Sequence, residues 1–171
     1  MNSDMDGQSK KILDRFEKLC AGCECCTFDI RRKIIAALRK ALGEDSEDLK
    51  EKAEKILSSL VSEGYVDDAR YASAFAREKS SLSGWGPIKI RFALSSKHIP
   101  DAVISDALKD TDAEKADERL IRVLETRWKS LTGPDGQVPQ DARLKLIKFA
   151  LTRGYEYDAV KTAVERVTHN G

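Results

Sequence analysis

Apolar residues recur at intervals of three and four along most of this chain, and nowhere do they alternate with the period of a strand. The pattern predicts helices throughout. Ile12, Leu13, Phe16, Leu19 and Cys20 mark a first amphipathic helix that ends near Gly22. Thr27 offers a cap to a second, whose inner face is Ile30, Ile34, Leu38 and Ala41 or Leu42. Asp45 or Ser46 opens a third, with Leu49, Ala53, Ile56, Leu57 and Leu60 facing inward and Gly64 closing it. Residues up to about Gln8 are polar and are expected to be mobile.

The same order then repeats. After Gly64, Tyr65 and Val66 form an apolar bridge, and Asp67 or Asp68 caps a helix running to about Leu82. Tyr71, Ala72, Phe75 and Ala76 form its stripe. The Gly-rich turn before Pro87 breaks it, since proline suits the first turn of a new helix, here predicted from Pro87 to Lys97. A short helix from about Pro100 to Leu108 completes the round. The third round opens on Thr111-Asp112-Ala113-Glu114, a capping box. A long helix follows, carrying Ala116, Leu120, Leu124 and Trp128, and the loop TGPDGQVP ends it. Further helices are predicted from about Asp141 to Arg153, stopped by Gly154, and from Asp158 to Val167. Tyr65, Tyr71, Phe75 and Phe92 are expected in the core, given their helical spacing.

The rounds are also alike in letters. IRFALSSKHIPDAV from Ile90 resembles IKFALTRGYEYDAV from Ile147, which pairs Phe92 with Phe149, Leu94 with Leu151 and Val103 with Val160. In the first round Ile34, Ala37 and Leu38 take the places of Ile90, Ala93 and Leu94. A three-helix period suggests tandem modules in contact mainly with their neighbours. The expected architecture is all-α: three three-helix modules over residues 9–64, 65–110 and 111–169, behind a mobile 1–8, in an elongated, curved array.

Charge changes the picture locally rather than globally. Thirty basic residues against twenty-nine acidic ones leave a net +1, which excludes a nucleic-acid binder of the strongly basic kind. Basic residues nevertheless gather where acids are missing. Arg31, Arg32 and Lys33 lie in an acid-free run from Ile30 to Gly43. Lys79, Lys89, Arg91 and Lys97 lie in another, from Lys79 to Pro100. Arg143, Lys145, Lys148 and Arg153 lie in a third, from Ala142 to Tyr155, while carboxylates cluster from Glu44 to Glu54. One basic helix per module could line a surface that follows a phosphate backbone or an acidic groove. Arg77 and Tyr71 join the candidates, as does Trp85, which either plugs a gap between modules or sits at a contact surface.

Little points to catalysis. His98 and His169 lack a nucleophile or acid partner by spacing, and GWGP lacks the Lys-Ser/Thr and preceding strand of a phosphate loop. Asp67 and Asp68 read as caps, with Arg70 near enough to neutralise one of them. The segment CAGCECC places Cys20, Cys23, Cys25 and Cys26 together, yet lacks the distant second pair of a structural zinc site. No cofactor and no metal are expected. The start MNSDMDGQSKK is no signal peptide and no apolar run approaches a membrane span, so the expected location is the cytoplasm and the expected state a monomer.

One resemblance organises these readings. GYVDDARYASAFAREK, then GWGPIKIRFALSSKHI and DAVISDAL, resembles the central motif of the RecX family, small bacterial proteins that restrain the RecA recombinase. Gly64, Tyr65, Asp67, Asp68, Arg70, Tyr71, Gly84, Gly86, Pro87, Ile90 and Leu94 all fit it. The resemblance implies three tandem modules and a non-enzymatic regulator. Such a regulator lies in the groove of a RecA–single-stranded DNA filament and hinders its extension, ATP hydrolysis and strand exchange. Two readings stand beside it: a sequence-neutral DNA-binding helical repeat with no recombinase partner, and a thiol or zinc sensor centred on the cysteines.

Overall fold

The structure, a computed structural model, describes residues 5–43, 48–111, 113–132 and 137–169, with the side chains of residues 113 and 114 excepted. The expected cap at Asp45 or Ser46, the Asp112 and Glu114 partners of the capping box and half of the TGPDGQVP loop lie outside them. Among the described residues there are nine helices and no strand. They are α1 (Gly7–Ala21), α2 (Thr27–Leu42), α3 (Leu49–Ser62), α4 (Asp68–Ser81), α5 (Pro87–Ser95), α6 (Asp101–Lys109), α7 (Ala113–Leu131), α8 (Ala142–Thr152) and α9 (Tyr157–His169). The chain divides into two compact units, Met1–Tyr71 and Ala72–Gly171. The second unit holds most of α4 and all of α5 to α9, the helices of the second and third predicted rounds together.

In the first unit α1, α2 and α3 pack on one another around Leu13, Phe16, Ile30, Ile34, Leu38, Ile56 and Leu60, every one a residue of the predicted stripes. Helix α1 begins earlier than its apolar pattern, inside the stretch expected to be mobile. Asp6 accepts hydrogen bonds from the backbone N–H groups of Gln8 (3.1 Å) and Ser9 (2.8 Å), and Ser9 is buried. The ammonium of Lys52, 2.8 Å away, and the Ser9 N–H hold the Asp6 carboxyl down at about 2.

The Asp67-Asp68 pair divides its work between two helices. Asp67 Oδ1 accepts from the N–H groups of Ala69 (2.8 Å) and Arg70 (3.0 Å), which caps α4. Asp68 Oδ1 instead accepts from Thr27 N at 2.7 Å, at the start of α2. Thr27 therefore does not cap α2 but is capped from afar. Arg70 neutralises neither aspartate: it pairs with Glu24 at 3.1 Å and donates to the carbonyl of Gly64 at 3.0 Å. Asp68→Ala should then cost about 1–2 kcal/mol of stability, and hydrogen exchange should accelerate in the first turn of α2 before any change in α3.

In the second unit, α7, α8 and α9 pack around Leu120, Leu124, Leu146, Ala150, Val160 and Val164. Helix α5 packs on α6, and Ile90, Leu94 and Ile104 are fully buried. The start of α5 meets the end of α8 backbone to backbone. Gly86 N donates to Arg153 O (2.7 Å) and Ile88 N to Gly154 O (3.1 Å). A Cβ on Gly86 would stand 2.2 Å from Gly154 O, and one on Gly154 would stand 2.4 Å from Lys89 N.

Burial moves the repeat register by one residue from the letters. Leu94 and Ala150 are both buried, whereas Leu151, its partner in the letter alignment, is 39% exposed. The left-handed residues agree with the shifted register: His98 (φ 58) occupies the place of Gly154 (φ 83). After them Ile99 N bonds Leu94 O as Tyr155 N bonds Ala150 O. Phe92 departs furthest from expectation. Expected in the core, it is 75% exposed, because Ile90 and Leu94 take the inner face and leave Phe92 between them on the outer one.

Candidate protein and nucleic-acid interface

The expected basic residues fall into three groups. In the first unit Arg31 is spent on Glu54, to which it donates through Nε and Nη2 at 2.8 and 3.1 Å. Arg32 lies over the ring of Phe28 at 5.6 Å and is exposed, as is Lys33. An exposed ion pair such as Arg31–Glu54 adds little stability, but it removes one cation from any binding face.

The second group surrounds Trp85. This ring meets Phe75 edge-on, with centroids 6.2 Å apart, and the Lys89 ammonium sits 4.5 Å from its centroid. Lys79 lies over both rings, at 5.4 Å from Phe75 and 5.8 Å from Trp85, while pairing with Glu78 at 2.7 Å. Lys89 also donates to Thr152 O at 3.4 Å. Trp85 is half-buried in this cluster, where cation–π attraction fixes both ammonium groups. Arg91 pairs with Asp101 at 2.6 Å and reaches Ser105. Tyr71 and Lys97 are half-buried and Arg77 is exposed.

The third group belongs to α8. Arg143 and Lys148 are exposed, and Lys145 pairs with Asp141 at 2.9 Å one turn earlier. Arg153 turns inward instead: it donates to the Ser83 carbonyl, and its guanidinium lies 4.6 Å from the centroid of Phe149. Three cations that the acid-free-run criterion passed over stand with it. Arg119, Arg122 and Arg127 come from α7 and line one cavity with Arg153 and Phe149. Glu118 and Glu125 interrupt their run in sequence, so only their spacing along one helix face could have found them.

Around α5 the outer face mixes apolar and basic groups. Ile88 and Phe92, one turn apart, are 46% and 75% exposed, and Lys89 and Arg91 flank them. Such a face suits a partner that offers both an apolar pocket and negative charge.

The cysteines lie at the turn between α1 and α2. Cys20, Cys25 and Cys26 are buried and Cys23 is exposed, with Cys23 Sγ 3.7 Å from Cys25 Sγ. Burial pushes the Cys20 and Cys25 thiols up, away from the reactive thiolate form. Among the described residues no group of three or more metal-ligating side chains is arranged to hold an ion, and no helix is long and apolar enough to cross a membrane.

Known proteins are similar to this chain in sequence and in fold. Residues 67–108, from α4 to α6, match the second three-helix domain of RecX. The chain is 26% identical over 159 residues to the regulatory protein RecX of Clostridium perfringens, covering 92% of this chain and 72% of that protein. It is 29% identical over 113 residues to the regulatory protein RecX of Bacillus mycoides, of which the match spans only 41%. Among solved structures, a regulatory protein RecX superposes with a TM-score of 0.73 at 22% identity, over 92% of this chain and 72% of that one. RecX from Lactobacillus salivarius superposes at 0.71 and 19% identity, over 94% and 97%. Its central helices match a RecX domain, its sequence is similar to that of RecX proteins over most of its length and its fold is that of the RecX structures, so the resemblance to the RecX family holds along the chain.

Proposed function

We propose that this chain is a negative regulator of the RecA recombinase, binding the RecA–single-stranded DNA filament as a monomer and hindering its extension, ATP hydrolysis and strand exchange. It would thereby act on recombination, DNA repair and the SOS response from the cytoplasm, and it would act by binding rather than by catalysis. The observation that carries this reading is Phe92. A phenylalanine 75% exposed on a helix that carries no acid, beside Ile88, Lys89 and Arg91, has no role in the core of its own unit. It is instead the kind of anchor that dominates a protein contact.

The basic faces of α2 and α8 support the same reading, since Arg32, Lys33, Arg143 and Lys148 are exposed. A filament presents the same site on successive subunits, and several weak contacts made together add into a firm one. Net charge +1 disfavours tight, unassisted binding to DNA as the whole function. The test is inhibition of single-stranded-DNA-dependent ATP hydrolysis by the recombinase. Inhibition is expected below equimolar ratio to recombinase, because one regulator on a filament blocks many subunits. Inhibition that merely follows removal of free DNA would favour the sequence-neutral DNA binder.

A further inference from the structure

Arg119, Arg122, Arg127 and Arg153 line a cavity of about 440 Å³ between the end of α4, α7 and the end of α8, and among the described residues no carboxylate lines it. Arg122, Arg127 and Arg153 gather here with no carboxylate among the described lining residues, and like charges this close repel one another, so the arrangement has a cost unless an anion enters. Three of them are held in place. The Phe149 ring has Arg127 at 5.4 Å and Arg153 at 4.6 Å from its centroid, and Arg153 donates to the Ser83 carbonyl. Arg119 donates to the Thr111 carbonyl at 2.7 Å. The bond to Ser83 uses only part of the five-donor fork of Arg153. Arg127 Nε is buried with no acceptor among the described residues. Arg122, exposed on α7, has no carboxylate partner among them.

We infer that this pocket binds a backbone phosphate of single-stranded DNA, with the neighbouring base against Leu82. The inference rests on the reading above and assigns the DNA contact within it chiefly to arginines of α7, outside the basic helices α2, α5 and α8. Planar guanidinium forks match phosphate oxygens in pairs. The volume is that of a nucleotide rather than of a bare ion, and Leu82, 82% exposed on the rim, offers an apolar surface. Bases in a single strand are free to lie on such a surface, whereas those in a duplex are stacked away from it.

The test is anisotropy of a fluorescein-labelled oligothymidylate at several salt concentrations. The probe is titrated with the full chain and with Arg122→Glu, Arg127→Gln and Arg122→Lys. The wild type should bind the oligomer more tightly than a duplex of equal length. Arg122→Glu and Arg127→Gln should each weaken binding about tenfold or more. Each should also lower the slope of log affinity against log salt by about 0.7, the share of one phosphate contact on a single strand. Arg122→Lys should restore most of the affinity.

Unchanged affinity and slope in both variants, with helix content and tryptophan unfolding intact, would overturn the inference. So would an oligomer fully displaced by millimolar inorganic phosphate, which would mark a free-anion site. A third contrary result is loss of polyglutamate binding in Arg122→Glu while oligothymidylate binding is kept, which would mark a surface for an acidic protein. Recombinase inhibition measured on the same variants separates the two claims. Variants that keep both DNA binding and inhibition sink the pocket but leave the regulator standing.

Discussion

Replacing Gly154 by alanine should destabilise the second unit by about 2–4 kcal/mol, the largest expected effect of any single added methyl group in the described part of this protein. Two independent costs meet there. At φ +83 an alanine sits in the left-handed region, which costs a non-glycine residue about 1–2 kcal/mol. The new Cβ also stands 2.4 Å from both the nitrogen and the Cβ of Lys89, and overpacking of this kind typically adds about 1–3 kcal/mol. The gain from a stiffer unfolded chain, about 0.4–1 kcal/mol, offsets only part of it.

Two companions separate these terms. Gly64→Ala, at φ +75 with nothing within 4 Å, should show the backbone cost alone. Gly86→Ala, at φ −80 but with its Cβ 2.2 Å from Gly154 O, should show the collision alone. Urea unfolding followed by tryptophan fluorescence reads Gly154→Ala and Gly86→Ala, since both tryptophans, Trp85 and Trp128, lie in the second unit, while Gly64→Ala in the first unit is read by circular dichroism. A Gly154→Ala midpoint equal to wild type would show that α5 and α8 do not meet as described.

Phe92→Ala should have the opposite profile: little change in stability and a large loss of function. At 75% exposure the side chain gives up little buried area on truncation, so the unfolding midpoint should stay within about 0.5 kcal/mol of wild type. If the ring anchors the chain to its filament, its removal should cost about 2 kcal/mol or more of binding, some thirtyfold in the concentration giving half-inhibition. Ile90→Ala is the reverse control. Ile90 is fully buried, so its truncation should cost about 2–5 kcal/mol of stability. Phe92→Ala that inhibits as wild type would remove the observation on which the proposed contact rests.

These two residues also show what the sequence could and could not convey. Helices, their order and their inner faces were legible because burial imposes its period on the letters: Ile34, Leu38, Ile56, Leu60, Leu120 and Leu124 all lie where the stripes put them. Phe92 was not legible because a large aromatic at helical spacing reads as core, whereas two positions from both Ile90 and Leu94 it falls on the opposite face of the helix. The repeat register slipped by one for a related reason. Shared letters follow descent, but buried positions follow the left-handed turn, which His98 supplies in one round and Gly154 in the next.

Helix caps were half legible. Asp67 acts locally and was readable, whereas Asp68 reaches Thr27, 41 positions away, and no local pattern encodes that. The arginine pocket was hidden for the same kind of reason. Its members come from two helices, and on α7 glutamates on other faces interrupt the run, so the cluster exists only once the chain is folded. Charge runs located surfaces; they did not show that Arg31, Lys79, Arg91 and Lys145 spend their charge on Glu54, Glu78, Asp101 and Asp141.

The account rests most directly on one titration: ATP hydrolysis by the recombinase on saturating single-stranded DNA, at fixed salt, as this chain is added. Inhibition is expected well below one chain per recombinase, with excess DNA failing to relieve it and Phe92→Ala shifting the curve to higher concentration. A folded, helical sample that leaves hydrolysis unchanged at molar excess, or inhibits only until more DNA is supplied, would contradict it.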